Sequence, residues 1–205
     1  MAPAPPKAAA AATKAPAPAV VNGTGPAKSP VAVDVNAVAG TLFNEAQSLI
    51  TNKNVPEARK RLETIAAAYA GSSSFVPAMT AKIALEDREK IKEFDTIVGA
   101  QVPASLISRR RLIERAPQHP SAEAALWWLA ETYDDLKRYL LAAETYARLG
   151  GTFPNTKYDA WFKAAEVYEK RLNQKDEARA AYLKVPASSS RYKDAQNRSQ
   201  KLQAR

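Results

Sequence analysis

The sequence predicts an all-α protein, a stack of antiparallel helix pairs preceded by a disordered Ala/Pro-rich tail. Three observations predict it. From Asp34 onward, segments rich in Ala, Leu, Glu, Lys and Arg run between sparse Pro and Gly residues, and these are good helix formers. No segment keeps a period-two alternation of apolar and polar residues, so no strand is predicted. The joints between segments are only a few residues long, which makes consecutive helices pack antiparallel.

The elements follow in order. Residues 1–33 hold half of the chain's 14 prolines. Such a segment buries too little apolar surface to offset its ordering entropy, and frequent Pro favours extended polyproline II. It reads as a semi-rigid tether or as a terminal piece with no role. Helices are expected at about 34–52, 55–70, 76–97, 104–116, 121–136, 138–151, 157–172, 175–185 and 190–203. Asp34 caps the first through its carboxylate. Pro56 lies in the first turn of the second, where a missing N–H costs nothing. Pro120-Ser121 followed by Glu123 resembles a capped start. Gly150-Gly151 is read as the end of its helix, with Pro154 preventing resumption.

A repeated spacing organises these helices. Residues 123–156 contain Leu126, Leu129, Ala130 and Tyr133 at i, i+3, i+4 and i+7, one face of a helix. Ala142 and Tyr146 follow on the next helix, then Pro154. The small residues stand where two helices must approach closely. Residues 157–189 repeat the pattern with Trp161, Ala164, Ala165 and Tyr168, then Ala178 and Tyr182. Residues 39–72 repeat it with Leu42, Ala46 and Leu49, then Ala58, Leu62 and Ile65. From Ala46 to Ala58 is 12 residues, as from Ala130 to Ala142. From Ala46 to Ala130 is 84, room for one degenerate unit at about 73–120, lengthened by a turn or two. The polar, basic helix at 190–203 suits a C-terminal cap.

At these signature positions the chain resembles the tetratricopeptide repeat family. The resemblance implies a right-handed superhelix, or solenoid, over residues 34–205. Its first helices line a concave groove that binds a protein or peptide, with no catalysis and no cofactor. The stretches HPSAEAALWWLAETYDDLKRYLLAAETYARL and FPNTKYDAWFKAAEVYEKRL further resemble the repeat domains of bacterial cell-envelope scaffolds. Examples are the Tol–Pal-associated cell-division coordinator and the repeat lipoprotein of the outer-membrane β-barrel assembly machine. That likeness implies the periplasm or cell envelope. The N-terminus lacks the apolar centre of a secretory signal and, taken as the native start, implies the cytoplasm. A different reading of the same texture is the helical accessory region of a larger enzyme, such as a lytic transglycosylase.

Composition excludes several functions. There is no cysteine and one histidine, His119, so thiolate chemistry is absent and an imidazole metal set has no second member. His119 reads as a solvated turn residue. No Gly-rich phosphate loop is present. No apolar run approaches the roughly 18 residues of a membrane span. The net charge is +9, but the two ends carry +3 and +4 and residues 34–186 only +2. Nucleic-acid binding is therefore the weaker reading. The one internal basic run, Arg109-Arg110-Arg111 with Arg115, is either a contact for phosphate, RNA or anionic lipid or a salt-bridged face.

Groove positions follow from the signature. The fifth position of each clear unit gives Phe43, Trp127 and Phe162; the ninth and twelfth give Gln47 and Ile50, Glu131 and Asp134, Glu166 and Glu169. These describe either an aromatic rail flanked by carboxylates, suited to an apolar peptide carrying Lys or Arg, or core aromatics beside a solvated acidic face. Trp127 and Trp128 point about 100° apart, so one of them can be core while the other is exposed.

Overall fold

The computed structural model describes residues 34–203; the tail read from residues 1–33 lies outside them. Among the described residues are nine helices and one β-hairpin, in the order α1 (Val35–Thr51), α2 (Val55–Ala68), α3 (Phe75–Arg88), β1 (Lys92–Asp95), β2 (Ala100–Pro103), α4 (Ala104–Arg115), α5 (Pro120–Asp135), α6 (Tyr139–Thr152), α7 (Ala160–Lys170), α8 (Lys175–Leu183) and α9 (Tyr192–Gln203). Each helix packs on the next in sequence. The result is the expected stack of antiparallel pairs, α1/α2, α3/α4, α5/α6 and α7/α8, closed by α9.

Local chemistry sets the helix starts. Asp34 Oδ1 accepts from the Asn36 and Ala37 N–H groups at 2.9 and 3.3 Å. Asn54 caps α2, whose first turn contains Pro56. His119 Nδ1 accepts from the Ser121 N–H at 3.1 Å, and Pro120 opens α5. The lone histidine is thus a helix cap, a role that any small acceptor fills.

One backbone motif marks every repeat. After α1, α3 and α5 the residue following the C-cap turns left-handed: Lys53 at φ 59°, Lys90 at 52° and Lys137 at 58°. In each case the next N–H reaches back five residues, Asn54 to Leu49 O, Ile91 to Glu86 O and Arg138 to Tyr133 O. This is the Schellman closure. After α7 the turn holds one extra residue: Asn173 is left-handed and Gln174 reaches Tyr168 O. Leu49, Glu86, Tyr133 and Tyr168 are therefore equivalent positions, which places the degenerate second unit in register.

That register explains the degeneracy. Where the third unit has Leu129 and Tyr133, the second has Lys82 and Glu86, both buried. Lys82 Nζ donates to Glu86 and to Ser108 Oγ, each at 2.8 Å, and Ser108 donates to Glu86 at 2.7 Å. Arg59 closes the network on Glu86 at 2.9 Å and also pairs with Glu93. Burying these charges is tolerable only because each finds partners.

Two expectations are corrected. The helix expected over 76–97 ends at Arg88, and the strandless reading fails at the hairpin β1–β2, which pairs Lys92 with Pro103 through to Asp95 with Ala100. This insertion, between the left-handed Lys90 and α4, supplies the extra length between Ala46 and Ala130. Its turn is fixed by Asp95, whose Oδ1 accepts from the Ile97 and Val98 N–H groups at 2.9 and 2.8 Å, and by Gly99 at φ 72°. A four-residue strand in a two-stranded ribbon is too short for its period to stand out. Gly150 and Gly151 fall in the last turn of α6, which ends at Thr152, one residue beyond the expected end. A Cβ on Gly150 would meet the Trp161 ring at 2.6 Å, so this glycine admits a neighbouring helix. The remaining helices fall within three residues of the predicted bounds.

The core follows the signature. Ala46, Ala58, Ala130, Ala142, Ala165 and Ala178 are fully buried. Around them Leu62, Ile65, Met79, Leu126, Leu149 and Tyr182 fill the space between layers. Each buried large aliphatic contributes about 1.5–3 kcal/mol.

Candidate interaction groove

The two tryptophans of α5 sit in different surroundings, as the helix geometry requires. Trp127 stacks on Tyr158 at 4.7 Å between centroids with a 10° interplanar angle, and meets Tyr146 edge-on at 5.2 Å. Trp128 is covered by the Arg109 guanidinium, 3.8 Å from its centroid. Arg109 is held in turn by Asp87 at 2.6 Å. Both tryptophans remain half-buried and border a crevice of about 450 Å³ between α3 and α5. Thr80 and Ile83 of α3, Leu112 of α4, Ser121, Ala124 and Ala125 of α5 and Tyr158 complete its walls. The lining is apolar apart from Arg109 and the hydroxyls of Thr80, Ser121 and Tyr158. It is therefore a surface that loses water readily and that aromatic stacking makes rigid.

The other groove positions are dispersed. Phe43 and Ile50 are half-buried against the cluster of Leu62, Ile65 and Leu85, and Gln47 is exposed. Glu131 is exposed one helical turn beyond Trp127. Asp134 is half-buried, and its Oδ1 is enclosed without a donor among the described residues. Burial, then the Glu131, Asp134 and Asp135 carboxylates, push the Tyr146 hydroxyl well above the ordinary tyrosine range. These three carboxylates lie near the Tyr146 hydroxyl, whose ring meets Trp127 edge-on, and none of them lines the crevice.

Phe162 takes the core placement. It is 3% exposed, edge-on to Tyr182 at 5.4 Å, with the Arg191 and Arg198 guanidinium groups each 5.3 Å from its centroid. The cap α9 is the cause. Its Arg198 stands 3.5 Å from Glu166, 3.7 Å from Glu169 and 3.0 Å from Asp194, and donates to the Tyr182 hydroxyl at 3.2 Å. Glu166 also pairs with Lys170. The fourth unit's acids are thus engaged within the chain, and its aromatic is covered. Phe43, Trp127 and Phe162 form no single rail; of the three, Trp127 alone reaches the crevice.

Trp128, Tyr158, Ile83 and Arg109 belong to the crevice although no signature position pointed to them. Trp128 was visible as the partner of Trp127. Tyr158 lies in a loop, where helical period says nothing. Arg109 was visible only as part of a basic run, and that run proves to be salt-bridged: Arg109 to Asp87, Arg110 to Asp95 and Arg111 to Glu63. Among the described residues no group of three or more His, Asp or Glu side chains could hold a metal ion.

Residues 124–156 and 159–188 match the tetratricopeptide repeat family model. These two stretches are similar to tetratricopeptide repeats. No curated protein matches the chain in sequence. Among solved structures it is similar to the kinesin light chain TPR-like repeats of Podosopora anserina, at 14% identity and a TM-score of 0.40 over 82% of this chain and 87% of that one. A point variant of the same repeats matches at 14% identity and a TM-score of 0.40, over 84% of this chain and 88% of that one.

Proposed function

We propose that this chain is a non-catalytic tetratricopeptide-repeat scaffold that holds a segment of a partner protein in the crevice between α3 and α5. The observation that carries this reading is the rigid aromatic wall of Trp127, Trp128 and Tyr158 facing Ile83 and Leu112. Two stacked aromatics and a guanidinium-covered tryptophan bury large area on binding at little entropic cost. The carboxylates of Glu131 and Asp134 beside Trp127 favour a segment whose apolar anchor is followed by Lys or Arg. The sequence resemblance to bacterial cell-envelope scaffolds supports an envelope assembly as the setting, which fractionation of the native host would test.

The test is affinity capture with the full chain, comparing wild type with Trp127→Ala, Trp128→Ala and the double variant. Each ring is half-buried at the surface of α5, so helicity should stay near wild type by circular dichroism. A captured partner should weaken by tenfold or more in the double variant, about 1.4 kcal/mol or above. Glu131→Lys should cost a smaller factor that shrinks with added salt. A capture list unchanged by the double variant would refute the crevice as the binding site.

A further inference from the structure

The left-handed turns that close α1, α3 and α5 all lie on one edge of the stack, because every first helix of a pair runs in the same direction. Contacts tie this edge together. Arg138, beside the α5 turn, donates to Val98 O of the hairpin at 2.7 Å, and Arg59 near the start of α2 pairs with Glu93 of β1. In three of the four turns the left-handed position is lysine: Lys53, Lys90 and Lys137. Glycine or asparagine meets that backbone demand with less strain, so the recurring feature is the charge. All three lysines are exposed, as are Lys92 and Arg138 on the same edge. The neighbouring carboxylates Glu89, Glu93 and Asp95 are taken by Arg88, Arg59 and Arg110. Glu57, Asp134 and Asp135 are the opposing charges at these turns.

The same edge carries exposed apolar side chains. Phe94 is 60% exposed, Ile97 57% and Leu140 49%. Phe94 and Ile97 ride on the hairpin, and Leu140 is the second residue of α6, next to the Arg138–Val98 contact. The hairpin is a firm support: buried Asp95 pins its turn, and Val98 and Val102 root it in the core. The helix dipole accounts for a cation after a helix, but leaves water-exposed Phe and Ile unexplained. Phe94 projects from the ribbon, and Ile97 at its turn stays 57% exposed while also bordering a cleft with Ile113, Leu126 and Leu141. Apolar tips among lysines are what a headgroup layer accepts, with the rings entering the acyl boundary and the ammonium groups remaining at the phosphates.

We infer that this edge docks on an anionic lipid surface, with Phe94 and Ile97 inserting while Lys53, Lys90, Lys92 and Lys137 contact the headgroups. The site is separate from the α3–α5 crevice, so the chain can hold a partner and a membrane together.

Co-sedimentation of the full chain with phosphatidylcholine vesicles, with and without a quarter phosphatidylserine, tests this. Binding is expected with phosphatidylserine only, and should fall as salt rises. Each neutralised lysine should weaken it about fivefold, so Lys53→Gln/Lys90→Gln/Lys137→Gln should lose about a hundredfold. Phe94→Ser/Ile97→Ser should lose about tenfold with the salt dependence unchanged. All five side chains are exposed, and circular dichroism with a melting curve verifies the fold of both variants. Lys157→Gln/Lys163→Gln/Lys193→Gln, with the same net charge change away from this edge, should bind like wild type. Equal binding to both vesicle types, equal losses in the two lysine triples, or no loss in Phe94→Ser/Ile97→Ser would overturn the proposal. So would an acidic, Phe-containing peptide that binds the edge of a chain ignored by vesicles. None of these outcomes bears on the crevice, whose variants are separate.

Discussion

Gly150 and Gly151 show how a single missing carbon is decided by its neighbour. Both lie in the last turn of α6, where alanine normally gains about 1 kcal/mol over glycine. At Gly151 a Cβ would meet Trp161 at an ordinary 3.9 Å, whereas at Gly150 it would enter the ring at 2.6 Å. Gly151→Ala should therefore stabilise by about 0.5–1 kcal/mol. Gly150→Ala should destabilise by about 1–3 kcal/mol, because Trp161 is rigid and must shift with α7. Urea unfolding midpoints check the pair, and equal effects would show that Trp161 moves freely. The sequence revealed both glycines but not this difference. Local rules read a Gly-Gly pair as a helix end, and only the approach of Trp161 from the next repeat gives Gly150 its role.

At the scale of an element, the hairpin and α4 are held by charge. Asp95 has a fully buried side chain, paired with Arg110 and bonded by two backbone N–H groups. Burial opposes its ionisation, but Arg110 and those N–H groups outweigh it and hold the carboxyl below the ordinary carboxylate range. Asp87 beside Arg109, and Glu63 beside Arg111 and Lys82, are shifted the same way against their own burial. A lowered pKa in the folded state adds stability that is fully present above the unfolded value of about 4 and is lost as pH falls through the folded value. Urea midpoints should therefore be flat from pH 7 to 5 and drop steeply below about 4. Asp95→Asn keeps an acceptor but strands Arg110, so it should cost about 2–3 kcal/mol at neutral pH. It should also shallow the acid drop; an unaltered pH profile would assign the loss to other groups. These pairs were illegible in the sequence. Arg109-Arg110-Arg111 reads as a patch for anions, and its three carboxylate partners lie 15 to 48 residues away.

For the molecule as a whole, the cap decides where the groove ends. Arg198 of α9 reaches Glu166, Glu169, Asp194 and the Tyr182 hydroxyl while lying over Phe162. Repeat arrays are stabilised mainly by nearest-neighbour contacts, so losing this residue should act on the last layers first. Arg198→Ala should cost about 1–2 kcal/mol. It should speed hydrogen exchange in α8 and α9 well before α1 and α2, as amide exchange by mass spectrometry would show. Uniform acceleration along the chain would indicate one cooperative unit instead.

Helix pairs, three repeat registers and their buried alanines were determined by the sequence alone. Helix propensity, caps and i, i+4 spacing involve residues within a few turns of one another, so local order carries them. The tertiary structure decided the rest. It inserted a hairpin after Lys90, filled the second repeat's packing positions with the Lys82–Glu86 pair, closed Phe162 under α9 and left Trp127 and Trp128 at an open crevice. Each of these depends on a partner in another repeat. Burial and pairing are properties of what a side chain meets, and the one-dimensional pattern records only what it is.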